Sequence, residues 1–333
     1  MLSLLRSFLT IPPREVEISQ RGFSCSDPCV QTRLENIGRV FLKGYHAAID
    51  HKNQLALAES LDQIESEDRG FAFEGAAMAL TLLDGITLSG NAFSHFAAGA
   101  GKSHIFMLHV GAGWAYARLP WKRHRIESII RLLHPVLGWL VIDGYGFHEG
   151  YFHGKTRAAN PASQLSEHAR HVFYQGLGRS LWFVNGADVL RISDSISIFP
   201  KHYKSDVWSG VGLACAYAGG ISADQIAELR RLAGEYADAL AQGAAFAAKA
   251  RLLAGNPAKH TNDASVALCS MRSEQAAALC DETFRQINLI HPCPYQHWRE
   301  LLQKALVPSA GILKKGKCHE TQYLPPVVAT KSY

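Results

Sequence analysis

Residues Asp143–Gly154 read DGYGFHEGYFHG, and their centre, His148-Glu149-Gly150, is an aromatic–polar–glycine triplet that recurs along the chain. It returns as Phe73-Glu74-Gly75, Tyr174-Gln175-Gly176 and Trp208-Ser209-Gly210, and with an apolar centre as His109-Val110-Gly111. Ala241-Gln242-Gly243 and Leu42-Lys43-Gly44 are weaker copies. From Gly44 onward the glycines are separated by 31, 36, 39, 26, 34 and 33 residues. Four residues after each stands a small side chain: Ala48, Ala79, Ala115, Gly154, Ser180, Ala214 and Ala247.

Positions i and i+4 share one face of a helix, so a glycine followed by a small residue leaves a groove that a neighbouring backbone can approach. A glycine inside a helix costs about 1 kcal/mol relative to alanine. Its recurrence at a spacing near 34 therefore implies a repeated packing requirement. Such periods mark helical arrays, and about 34 residues is the length of a tetratricopeptide helix–turn–helix unit. The expectation is an all-α fold: a tetratricopeptide-like helical-repeat solenoid, or a closed α/α ring, of about seven helix pairs. Residues 1–28 read as an N-terminal arm, 29–288 as a single repeat domain, and 289–333 as a tail with one short helix near Gln296–Leu306. Asp27-Pro28 predicts the start of the first repeat helix, Asp84-Gly85 the end of the second, and Ser222 with Gln225 a capping box.

Composition narrows the function. At 47% hydrophobic and 19% charged residues the 333-residue chain can bury a large interior. The net charge of +5 rests on short clusters such as Lys122–Arg125 and Lys314–Lys317, without the aromatic interleaving of a nucleic-acid surface. Seven irregularly spaced cysteines do not form a disulfide framework, which points to a cytoplasmic protein. The start, MLSLLRSFLTIPP, is interrupted by Arg6 and lacks a cleavage site, and no apolar stretch is long enough for a membrane span. Gly101-Lys102-Ser103 is not a phosphate loop, since Phe96 stands where its first glycine belongs.

Five blocks, Leu108–Pro120, Asp143–His153, Gln175–Val184, Trp208–Gly220 and Gln242–Arg251, together resemble a bacterial family encoded in secondary-metabolite gene clusters, notably beside the polyketide synthases of enediyne cores. The resemblance covers roughly residues 20 to 300. It implies a role in polyketide or enediyne-type biosynthesis, with a hydrophobic polyketide-type small molecule, a synthase or another cluster protein as partner. It supplies no catalytic residues.

In an array, equivalent positions line one surface. On the triplet alignment His109 stacks beside His148, Glu74 and Glu149 occupy matching positions, and Glu149 shares a helix face with His153. Imidazole and carboxylate converging between helices suit iron or manganese, so His109, His148, Glu149 and His153 are candidate metal ligands. Against this, buried histidines are more often hydrogen-bonders than ligands, and residues 148 and 153 are about 140° apart on an ideal helix. Arg179 stands where other copies carry Met78, Trp114, Leu213 and Phe246. It either pairs with Glu149 or Asp143 to hold the array or meets an anionic ligand. Glu74, Glu149 and Arg179 are the candidate catalytic groups, and Trp114, Tyr145, Phe152, Tyr174, Trp182 and Trp208 the candidate ligand-binding aromatics. Three readings follow: metal-assisted oxidation or desaturation of a hydrophobic polyene, a non-catalytic scaffold or chaperone for a synthase, and a metal-free cyclase.

Overall fold

The computed structural model describes residues 9–51, 53–87, 90–157 and 163–307, and the regular structure among them is entirely helical. Seven long helices carry the glycines: α1 (Pro28–Asp50), α2 (Ser66–Ile86), α3 (Ile105–Ala117), α4 (Leu140–Arg157), α5 (Glu167–Val184), α6 (Lys204–Ala218) and α7 (Ala237–Ala254). Each packs chiefly on the next. Their caps follow local sequence. The Asp27 carboxylate accepts from the Cys29 and Val30 amides with Pro28 in the first turn, Ser166 caps α5, and Ser222 and Gln225 form the capping box of Ala223–Ala233. Asp84-Gly85 does not stop α2, which runs on to Ile86. Asp84 instead accepts from the Ala92 and Phe93 amides, capping Ala92–Ala98, while Gly85 leaves room for the Leu119 side chain. The helical geometry of α4 breaks at Gly154, whose φ is 71°. Residues 158–162 lie outside the described residues, as does the tail beyond residue 307.

The glycines mark where consecutive helices cross, but in a register different from the triplet alignment. A Cβ on Gly75 would strike the carbonyl oxygen of Phe41, one on Gly111 that of Glu74, and one on Gly144 that of Val110. Likewise Gly176 lies on the Asp143 carbonyl, Gly210 on that of Gln175 and Gly243 on that of Ser209. A second set faces the following helix: Gly44 on Ala72, Gly113 on Val141, Gly146 on Phe173, Gly178 on Val207 and Gly212 on Leu240. In α4 the equivalent of Gly75 is therefore Gly144 and not Gly150, and Gly44 belongs to the second set. The register positions 42, 75, 111, 144, 176, 210 and 243 are 33, 36, 33, 32, 34 and 33 apart, and the apparent 39 and 26 disappear. From α2 to α7 the motif is glycine, any residue, then glycine or alanine; in α1 Leu42 stands at the register position and Gly44 two residues on.

Neighbouring helices run in the same sense. Before the crossing of α5 and α6, His171 Nδ1 meets Asp206 at 2.7 Å; beyond it, the Trp182 indole donates to the Gly219 carbonyl at 3.0 Å. The chain must therefore return after each long helix, and short helices such as Gln54–Asp62, Val189–Ser197 and Ala223–Ala233 carry it back. The first long helices also touch the last. Arg33 of α1 donates to the Ala218 carbonyl at 3.1 Å, and Arg251 of α7 bridges the Glu67 and Tyr217 carbonyls at 2.9 and 2.6 Å.

The helix assigned to a C-terminal tail is part of the interior. Pro294–Leu306 buries Tyr295, Trp298, Arg299 and Leu302. Trp298 packs on Phe246 and Phe106, Arg299 pairs with Asp206 at 2.8 Å, and Tyr295 bonds Gln175 at 2.9 Å. The sequence pointed to a short helix here; the polar partners of Arg299 and Tyr295 on α5 to α7 were not visible in it. Among the described residues no helix is long and apolar enough to cross a membrane.

Candidate functional site

The crossing register decides what faces inward. The residues just before the register positions on α2, α4, α5, α6 and α7 are Glu74, Asp143, Gln175, Ser209 and Gln242, all buried. They form a polar belt across the interior, and the belt is divided between two neighbours. Gln175, Ser209 and Gln242 are tied together by Tyr295, Arg299 and one another, with Ser209 donating to Gln242 at 2.8 Å. Glu74 and Asp143 are left to Arg179. Glu149, aligned with Glu74 by the triplet, lies elsewhere.

Arg179 Nε is 2.9 Å from Asp143 Oδ1, and its terminal nitrogen is 4.0 Å from Glu74 Oε1. These are ion-pair contacts rather than aligned hydrogen bonds, and both Asp143 oxygens lack an aligned donor among the described residues. Of the two partners open to Arg179 in the sequence, Glu149 and Asp143, the structure brings it Asp143. Burial pushes the Glu74 carboxyl up to about 7; Arg179 pulls it down and the Asp143 charge pushes it up again. Burial also raises Asp143, to about 6, against the opposing pull of Arg179 and Arg299. Both carboxyls are thus raised by burial, Glu74 further than Asp143, with Arg179 opposing the shift in each.

Glu74 and Arg179, but not Asp143, line a pocket between α1 and α6 of about 840 Å³, counted out to its open side. The residues three after the register position supply much of its wall, Met78, Trp114, Phe147, Arg179 and Leu213, joined by Phe41, Phe71, Tyr151, Phe152, Phe183 and Tyr217. In α7 the equivalent residue, Phe246, packs on Trp298 instead, so the C-terminal helix fills that part of the interior. At the other side the N-terminal arm contributes Ile11, Glu15 and Val16 to the pocket. The arm is held by Ile11 N on His46 Nε2 at 3.3 Å and Ile18 N on Glu35 at 3.2 Å. The apolar lining suits a hydrophobic ligand.

Of the six aromatics singled out in the sequence, Trp114 and Phe152 line this pocket. Tyr145 packs edge-on against Phe173, Tyr174 stacks on Tyr203, Trp182 bonds the Gly219 carbonyl, and Trp208 is buried away from it. Phe41, Phe71 and Tyr217 were not singled out. Phe147 and the rest of the inward set follow from counting three residues on from Gly75, Gly111, Gly144, Gly176 and Gly210.

The metal candidates divide as well. His109 Nδ1 bonds its own helix at the Ile105 carbonyl, 2.8 Å away, its ring is edge-on to Phe93, and burial lowers its pKa to about 4. Among the described residues it is not part of a ligand cluster. His148, Glu149 and His153 do come together, with one ligand atom from each within 4.8 Å of the others despite the angle expected between residues 148 and 153. His148 Nδ1 is 3.3 Å from Glu149, while Arg118 donates to its Nε2 at 3.3 Å. Burial, with Arg118 adding to it, lowers His148 to about 4, although Glu149 opposes this. The trio has ligands for iron or manganese, but a guanidinium occupies one ring nitrogen and places a positive charge beside any dication.

Residues 1–306 match the family described as protein of unknown function (DUF1702), and the chain belongs to that family. No curated protein and no solved structure matches the chain.

Proposed function

We propose that this protein binds a hydrophobic polyene in the pocket between α1 and α6 and rearranges it by proton transfer, without metal or net redox change. One observation carries the reading: Glu74, a buried carboxyl raised to about 7, faces an aromatic-lined pocket. A general acid works best with a pKa near the working pH, and perturbed carboxyls in apolar clefts are functional candidates. In this scheme Glu74 gives its proton to an alkene carbon, and the π-electrons form the new C–H bond. The rings of Trp114, Phe147 and Phe71 attract the resulting carbocation. Loss of a proton from a neighbouring carbon to the Glu74 carboxylate regenerates the acid, so the product is a cyclised or double-bond isomer of the substrate. Arg179 keeps Asp143 ionised and limits how far the Glu74 pKa rises.

The contacts of Arg33 with α6 and of Arg251 with α2 support a closed α/α ring, in which repeated helix pairs surround the ligand. A polyketide-type substrate, delivered in the cytoplasm by a synthase, is the context that the sequence resemblance implies. The test is product analysis with candidate polyenes in deuterated buffer. Deuterium incorporation by the wild type, lost in Glu74→Gln while the ligand still binds, supports the scheme. Incorporation unchanged in Glu74→Gln rules it out.

A second reading, metal-assisted oxidation or desaturation, draws on the approach of His148, Glu149 and His153. The acid–base reading is preferred because the Arg118 guanidinium already engages His148. A scaffold role would instead require function to survive Glu74→Gln and fail on surface substitutions.

A further inference from the structure

Two arginines meet at the mouth of the pocket. Arg118, one turn beyond Trp114 and at the C-cap of α3, lines the pocket and is exposed at its rim. Its guanidinium carbon is 5.1 Å from the centre of the Phe152 ring, and that of Arg21, from the N-terminal arm, is 4.5 Å from the same centre. Glu15 pairs with Arg21 at 3.2 Å. Among the described residues Arg118 has no carboxylate within ion-pair distance; its polar contact is the neutral acceptor His148 Nε2. Two like charges therefore share one aromatic ring with a single carboxylate between them. A guanidinium offers parallel N–H donors that fit a carboxylate or phosphate oxygen pair. At the inner end of the pocket the Arg179 charge is already engaged by Asp143 and Glu74.

We infer that Arg118, assisted by Arg21, forms a subsite for the anionic head of an amphipathic ligand whose apolar chain runs inward past Trp114 to Glu74. The inference rests on the pocket reading above and adds polarity and direction to it. An anion at the rim relieves the repulsion between the arginines, fixes which end of a chain enters first, and sets which carbon lies beside the acid. The head is a carboxylate or a phosphate monoester, since either presents two oxygens to the fork.

The experiment uses cis-parinaric acid, a fluorescent conjugated tetraene fatty acid, and its methyl ester with the full-length protein. The acid is expected to bind on the order of tenfold more tightly than the ester, the range for one charge-assisted hydrogen-bonding contact. Arg118→Gln should bring the two together, whereas Arg118→Lys should keep part of the preference. Equal binding of acid and ester by the wild type overturns the subsite and leaves the pocket reading intact. Binding of neither overturns both. A preference that survives in Arg118→Gln and vanishes in Arg179→Gln places the head at the inner end and overturns the inference. Displacement of the ester by dodecanoate, dodecyl phosphate and dodecanol separates the head groups. Stronger displacement by either anion than by dodecanol supports the subsite and identifies its head group; equal displacement by dodecanol rejects it.

Discussion

Gly176 of α5 rests on the main-chain carbonyl of Asp143 in α4, and this contact sets Arg179, one turn further on, against the side chain of the same aspartate. The repeat that builds the fold and the pair that tunes the site are thus one feature. Each helix is held at its crossing by a glycine, so the residues just before and three after it are fixed in height around the interior.

The register makes a direct prediction about α4. A Cβ on Gly144 would meet the Val110 backbone, which cannot yield, whereas one on Gly150 would meet the Ser180 hydroxyl and the tip of Leu177, which can. Gly144→Ala is expected to lose about 1–3 kcal/mol in denaturant unfolding, the usual cost of overpacking, and Gly150→Ala less. Equal losses would return the register to the triplet alignment.

Glu74 should lower stability as pH rises. Its carboxyl is raised in the folded state to about 7, so its contribution is most favourable below the unfolded-state value near 4.5 and is lost as pH climbs through 7. His109 and His148, both lowered to about 4, push the other way, so the comparison must be with a variant. Glu74→Gln is expected to match the wild type at pH 4 and to exceed it by on the order of 3 kcal/mol above pH 7. Urea midpoints of the two proteins across that range provide the measurement; a constant difference would mean that Glu74 titrates normally.

Leu213→Trp should fill the pocket from α6. Leu213 is only partly buried and borders the cavity, so the larger side chain has room, and thermal stability should change little. Binding of cis-parinaric acid should fall at least tenfold, because about 1.4 kcal/mol of lost contact suffices. Unchanged binding would place the ligand elsewhere.

Metal content separates the two chemical readings. Protein purified without a chelating tag from iron- and manganese-supplemented cells should carry well below one equivalent of either, and His148→Ala should not alter deuterium incorporation. Near-stoichiometric metal that disappears in His148→Ala would favour oxidation at His148, Glu149 and His153.

The long helices were legible in the sequence because glycine and small residues recur along it, and because Asp27 caps α1 where its chemistry says it should; Ser222 likewise marks the start of a return helix. The register was harder. In α4 the aromatic–polar–glycine triplet recurs at His148-Glu149-Gly150, six residues past the crossing at Gly144, and that slip hid the equivalence of Glu74 with Asp143. Arg179 stood out as a cation on an apolar stripe, and Asp143 was one of its two possible partners. Nothing local to Asp143 distinguishes it from Glu149; only the backbone contact of Gly176 does. Arg299 and Tyr295 were assigned to a tail because their partners, Asp206 and Gln175, are 93 and 120 residues away.

The proton-transfer reading requires a protonated Glu74, and pH-difference infrared spectroscopy reads that protonation directly. The wild type should show a protonated-carboxyl C=O band that disappears with a midpoint near 7 and is absent from Glu74→Gln. If every carboxyl band has gone by pH 5, or if the band near 7 persists in Glu74→Gln, the buried acid is not there and the proton-transfer reading fails.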